Sequence, residues 1–147
     1  MQRGECIFCR IAAGKAPCEE IYRDESTLAF MDIHPVNDGH CLVIAKAHFE
    51  TILEMPPELF GAVAATAARV AHAVGEVLRP GGLTIVQANG ALAGQSVPHL
   101  HVHVLPRRDD DNLPMNWDRG GTDIDLADHS RIAEIAGKLR AQLAVEP

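Results

Sequence analysis

Residues 98–106 read PHLHVHVLP, so three of the chain's eight histidines fall within five positions, each divided from the next by one branched apolar residue. On a β-strand, successive side chains point to opposite faces. That would put His99, His101 and His103 on one face and Leu100, Val102 and Val104 on the other. Same-face neighbours on a strand lie about 6.5–7 Å apart. The spacing suits two or three imidazoles gathered around one bound group and is too long for direct hydrogen bonds along the row. The residues alone leave three chemistries open. They are an exposed strand face that happens to carry histidine, a transition-metal site built from imidazole nitrogens, or a nucleophilic histidine whose neighbours hold an anion.

The segment just upstream, NGALAGQS (89–96), bears on that choice. Gly90 and Gly94 let backbone come close to a ligand, and backbone N–H groups in such a turn can form an anion nest. Asn89, Gln95 and Ser96 add polar groups. A small-residue loop feeding directly into a three-histidine strand describes a phosphate held against an imidazole. At the other end of the chain, Cys6-Ile-Phe-Cys9 has the two-residue spacer of thiolate zinc ligands, though a lone CxxC is equally a pair of buried thiols.

The elements that must position these groups follow from periodicity. Short β patterns cover 20–24, 27–33 and 40–47, and HPVNDGH (34–40) supplies turn chemistry between the last two. Leu59, Val63, Thr66/Ala67, Val70, Val74 and Val77 recur at helical spacing over 57–78, with Pro57 suited to the first turn. Residues 83–88 and 99–105 read as two further strands, 107–123 as an acidic loop, and 128–144 as a final helix with Ile132, Ile135, Leu139 and Leu143 on one face. Strands joined by short turns around one long helix predict an α+β domain on an antiparallel sheet.

Composition narrows the function classes. The net charge of −7 argues against a nucleic-acid binder, which neutralises phosphates with Lys and Arg clusters, yet leaves room for a small phosphorylated ligand. No apolar run approaches the roughly 20 residues that span a bilayer, and MQRGECIFCR lacks a secretory core. Four cysteines (6, 9, 18 and 41) in 147 residues fit reduced thiols or a metal site better than a disulfide scaffold, so a cytoplasmic setting is expected.

GQSVPHLHVHVLPR resembles the signature of the histidine-triad (HIT) superfamily, with His99, His101 and His103 as the triad. The resemblance extends from about Cys6 to Arg107 through CIFCRI, LAFMDIHPVNDGHCLVIAKAH and NGALAGQ. It implies a single HIT domain over 1–147, with a triad-bearing core at about 6–107 and a C-terminal loop and helix at 108–147. It also implies a homodimer with a continuous antiparallel sheet.

The implied activity is cleavage between the α-phosphate and a leaving group of a purine nucleotide conjugate such as a nucleoside phosphoramidate, releasing a mononucleotide such as AMP. The alternatives are a dinucleoside polyphosphate hydrolase or a nucleotide-binding scaffold with little turnover. By the same likeness His101 is the nucleophile, His103 contacts the phosphate and His40 stands near the active site. Asp32 accepts from the ribose hydroxyls, while Ile7, Phe8, Ile11, Phe30 and Ile33 form the base slot; read without the family those apolar residues are core. Asn89, Gln95 and Ser96 match positions around the ribose and α-phosphate, and Trp117 lies where some members reach the leaving group.

Bacterial members pair the CxxC with two histidines that correspond here to His48 and His99. This implies a structural zinc on Cys6, Cys9, His48 and His99, with no organic cofactor. His99 cannot ligate zinc and act freely as a proton donor, and ligation is favoured. A metal hydrolase using all three triad imidazoles as ligands would need an open site with acidic ligands, whereas the cysteine pair points to a closed one.

Overall fold

The central position of the histidine-bearing strand organises the fold. In a computed structural model of the chain, residues 4–111, 113 and 141 are described. The chain divides into two compact units, Met1–Asn112 and Leu113–Pro147. The expected helix at 128–144, apart from Ala141, and Trp117 lie outside the described residues.

In the first unit, a short helix α1 (Ile7–Ala12) precedes strands β1 (Glu20–Arg23), β2 (Thr27–Met31) and β3 (Cys41–Ala45). The long helix α2 (Pro57–Leu78), strand β4 (Gly82–Gln87), a single 3-10 turn (Ala91–Ala93) and strand β5 (His101–Arg107) follow. The five strands form one sheet in the order β1-β2-β3-β5-β4, every neighbouring pair antiparallel. This is the α+β antiparallel architecture expected from the pattern.

The two sheet faces bury different partners. Ala29, Val43, Val102 and Val104 pack against Val63, Ala67, Val70 and Val74 of α2. Val63, Val43 and Val104 are fully buried, worth about 1.5–3 kcal/mol each by removal from water. The opposite face carries Leu28, Phe30, Leu42 and Ile44, covered by Phe8 and Ile11 of α1. His101 stands opposite Ile44 and His103 opposite Leu42 in the β3–β5 ladder, so both imidazoles project on the α1 side. Period-two alternation thus turns Val102 and Val104 to the helix and the histidines to the other face.

Several boundaries differ from the sequence pattern for local reasons. Strand β5 begins at His101 rather than His99. Pro98 has no N–H, the His99 N–H turns back to Val97 O, and the Leu100 N–H is taken by Phe49 O. Strand β2 ends at Met31, and the Asp32 N–H closes the following loop on His40 O. The periodicity of α2 overruns at Val77, which is 78% exposed. Helix α1 was too short to announce itself, since six residues complete less than two turns.

The loop 34–40 is pinned at Gly39, whose φ of +86° suits glycine and where any Cβ would collide with Leu78 Cδ1 at the end of α2. Thr27 and Thr66, both buried, join β2 to α2 through their hydroxyls at 2.7 Å. Among the described residues, no helix is long and apolar enough to cross a membrane.

Candidate active site

The protonation pattern of the histidines can be read from what faces each ring nitrogen. His101 is 5% exposed, and its Nδ1 lies 2.8 Å from the backbone carbonyl of His99. A carbonyl only accepts, so Nδ1 carries the proton and Nε2 keeps its lone pair. Burial pushes the pKa of His101 below the ordinary histidine value, against an opposing pull from that hydrogen bond and from Asp32. Its ring is therefore neutral at pH 7, with a lone pair on the nitrogen a nucleophile needs.

A second chain of bonds sets His103. The Val36 N–H donates to His40 Nδ1 at 3.2 Å, so His40 carries its proton on Nε2. That nitrogen lies 2.9 Å from His103 Nδ1 and 3.5 Å from Asp32 Oδ2. With Nε2–H of His40 donating to His103 Nδ1, the proton of His103 must sit on its own Nε2. Burial, then the neighbouring His101 and His40, push His103 down to about 4, with Asp32 pulling the other way. The His40 pKa is also lowered by burial. The His101 and His103 ring centroids are 4.9 Å apart, so a lone pair and an N–H donor stand side by side.

Both rings line a cavity of about 470 Å³. Ile7, Phe8 and Ile11 of α1 wall it on one side, and Phe30 and Leu42 on another. Asp32, Ile33 and His34 contribute from the loop after β2, and Ser96 and Val97 from the segment before β5. Asp32 Oδ1 accepts the His34 N–H at 2.8 Å. The lining is mostly apolar with a few convergent polar groups, the usual make-up of a small-molecule site.

Two residues expected around the ribose and phosphate, Asn89 and Gln95, are engaged within the protein and do not line this cavity. Asn89 Oδ1 accepts the Ile52 N–H at 2.7 Å. Gln95 accepts the Gly90 N–H at 2.7 Å and donates to Glu50 O and Val97 O. They brace the loop 89–96 against the segment after β3. Pro17, Cys18, Met31, His34, Leu42 and Val97 also line the cavity and are absent from the sequence-based assignment. Leu42 was legible in principle, because it alternates in phase with His40 on the same strand pattern.

The CxxC gathers a separate cluster. Cys6 Sγ lies 3.4 Å from His99 Nδ1, and Cys9 Sγ lies 3.2 Å from His48 Nδ1 and 3.6 Å from His99 Nδ1. The two Nδ1 atoms are 3.2 Å apart, and all four ligand atoms lie within 4.8 Å of one another. Tetrahedral zinc with ordinary Zn–S and Zn–N bonds gives ligand–ligand edges of roughly 3.3–3.8 Å, close to these values. His99 Nε2 donates to Ala45 O at 2.8 Å, which leaves the Nδ1 lone pair facing the thiols. Burial, the largest influence, lowers the His99 pKa to about 4, keeping the ring neutral and able to ligate.

Residues 13–110 match the family model for the HIT domain. The chain belongs to the HIT family. Protein hit of Bacillus subtilis is 44% identical over 102 residues, 69% of this chain and 70% of that protein. An adenosine 5′-monophosphoramidase of Schizosaccharomyces pombe is 34% identical over 76% of this chain and 82% of its own length. An adenylylsulfatase of Arabidopsis thaliana is 33% identical over 76% of this chain, a match that spans 56% of that longer protein.

Among solved structures, a HIT family member from Bacillus subtilis has a TM-score of 0.87 at 36% identity, covering 97% of this chain and 99% of that one. A Zn-bound histidine triad family protein from Mycobacterium smegmatis has a TM-score of 0.72 at 41% identity, covering 78% and 83%. Names of these HIT relatives thus include two nucleotide hydrolases.

In this HIT domain a second group, Asp32, His40 and His103, also brings its ligand atoms within 4.8 Å of one another. It does not fit a metal as well as the cysteine cluster does. A metal on His40 Nε2 would require the ring proton on Nδ1, where the Val36 N–H already points. His40 and His103 form instead a hydrogen-bonded pair beside His101, with the Asp32 carboxylate 3.5 Å from His40 Nε2.

Proposed function

We propose that this HIT domain is a hydrolase or transferase that cleaves the α-phosphate bond of purine nucleotide conjugates, with nucleoside phosphoramidates as the favoured class. The observation that carries this reading is the fixed tautomer of His101, whose Nδ1–H is held by His99 O and whose Nε2 lone pair is left on a ring lining the cavity. The names of the phosphoramidase and adenylylsulfatase relatives support the class, since both act on an adenylyl group with a different leaving group.

In the first step His101 Nε2 bonds to the α-phosphorus as the bond from phosphorus to the leaving group breaks. The leaving group departs with that electron pair, and an amine leaving group takes up a proton from solvent as it goes. His103 Nε2–H donates to the phosphoryl oxygens and stabilises the charge that develops there, its orientation held by His40. In the second step a water oxygen bonds to phosphorus and loses a proton to solvent, the Nε2–P bond breaks, and its electron pair returns to His101. Asp32 accepts from the ribose, Ile7, Phe8, Ile11, Phe30 and Ile33 hold the base, and Ser96 lies beside the phosphate. Asn89 and Gln95 act by shaping the preceding loop.

Cys6, Cys9, His48 and His99 would hold a zinc ion. Four protein ligands leave no open coordination position, so the ion would supply structure rather than an activated water. A homodimer is part of the same reading. Strand β4 is a sheet edge carrying Ile85 at 51% exposure, and a 460 Å³ hollow between it and α2 is lined by Phe60, Ala64, Ala68 and Ala71. Light scattering on the purified protein tests that.

The decisive experiment is AMP release, followed by chromatography, from adenosine phosphoramidate, adenylyl sulfate and diadenosine tetraphosphate, each with wild type and His101→Ala. Release by wild type and background rates with the variant are expected, and the preferred compound names the leaving-group class. If wild type releases AMP from none of them, the hydrolase reading fails and a nucleotide-binding scaffold takes its place.

A further inference from the structure

We infer that the metal cluster governs the reactive geometry, with His99 as the positioning residue that joins the two sites; this rests on His101 being the nucleophile. One residue takes part in both. The His99 ring places Nδ1 among Cys6, Cys9 and His48, while its backbone carbonyl accepts the Nδ1–H of His101. The ring is held at Nε2 by Ala45 O and is fully buried, so a metal bound at Nδ1 would add a third restraint on the residue whose carbonyl holds the His101 proton. The proton that leaves Nε2 of His101 free for attack is thus held in place by a metal ligand's main chain.

A second connection runs through α1. Phe8 lies between the two cysteines and meets His99 edge-on at 5.8 Å and His101 edge-on at 5.2 Å. Ile7, Phe8 and Ile11 form one wall of the nucleotide cavity. A six-residue helix is far below the length at which helices hold together in water. Tertiary anchors therefore seat it, and the two thiolates bracket the residue that touches both histidines. Metal in the cluster fixes a cavity wall and a nucleophile tautomer together.

The test compares the full-length protein loaded with zinc, exchanged to cadmium, and stripped by a chelator, with metal content measured in each. Cadmium is larger and pushes its ligands outward while keeping four-coordinate binding, so that form stays folded. In ¹⁵N-histidine-labelled protein, the ring signals of His101 are expected to differ between the zinc and cadmium forms. His72 on α2, remote from the cluster, should not change and serves as the internal control.

Stripped protein that keeps its circular dichroism is expected to show a mixed His101 tautomer, a kcat lower on the order of tenfold, and weaker AMP binding by calorimetry, all restored by zinc. His101 signals that are the same in the zinc and cadmium forms would overturn the inference, as would unchanged tautomer and AMP affinity in folded stripped protein. If the zinc form binds AMP but turns nothing over, the catalytic reading fails. The ring signals still decide whether the cluster positions His101.

Discussion

His103 offers a quantitative test of its bond to His40, because its environment makes stability depend on pH in a definite direction. Its pKa is about 4 in the folded protein, against an ordinary value of 6.5. Between those limits the unfolded chain binds more protons than the native state, so stability rises with pH from about 4 to 6.5 and is lost as acid is added. At pH 5 the unfolded ring is almost fully protonated and the folded ring about one-tenth so. The linkage then gives a loss of about 2 kcal/mol relative to pH 7.5 from this group alone.

The clean measurement is a difference. Urea unfolding of wild type and His103→Gln at pH 5, 6 and 7.5 cancels contributions common to both, including any from the cysteine cluster. The stability advantage of wild type over the variant is expected to shrink by about 2 kcal/mol between pH 7.5 and 5. Parallel pH dependences for the two proteins would show that His103 is not held neutral by burial and by His40, and the chain of bonds derived from Val36, His40 and His103 would have to be abandoned.

Other expectations follow from single contacts. Gly39→Ala forces a Cβ into Leu78 at a φ of +86°; a loss of about 2–3 kcal/mol is expected from backbone strain and overpacking, read as a lower midpoint in thermal melts, and an unchanged midpoint would refute the pinning of the 34–40 loop. Thr27→Val or Thr66→Val alone breaks the buried hydroxyl pair, the former leaving Asp24 within reach of the Thr66 hydroxyl, and should cost about 1 kcal/mol, whereas the double variant should be less destabilised than the two losses added together. Additive losses in that cycle would mean that the hydroxyls do not interact. Arg79 adopts a left-handed conformation at the end of α2, with φ 46° and a proline following. Arg79→Gly is therefore expected to stabilise by about 0.5–1 kcal/mol in urea titrations, and a destabilised variant would contradict that account.

Much of the architecture was legible because it depends on local rules. Alternation along 99–105 placed Val102 and Val104 against a core and His101 and His103 on the other face, and helical spacing from Val63 to Val74 marked the buried side of α2. The overruns at Val77 and at the start of β5 were not legible. Whether a periodic residue is buried depends on where its neighbours end, and whether Leu100 joins a ladder depends on Phe49, fifty-one positions earlier.

The sequence by itself determined which chemistry was available: imidazoles at alternate positions, a CxxC, a small-residue loop before them, and enough apolar period to build an α+β sheet. The tertiary structure alone decided which ring nitrogen of each imidazole carries the proton. A histidine's role is set by whichever group faces each ring nitrogen, and those groups come from distant parts of the chain. Ala45 O directs the His99 lone pair toward Cys6 and Cys9, the His99 carbonyl frees Nε2 of His101, and the Val36 N–H, acting through His40, assigns the proton of His103. No pattern of residue types encodes those directions, because they arise only when the folded backbone brings donors and acceptors to the rings.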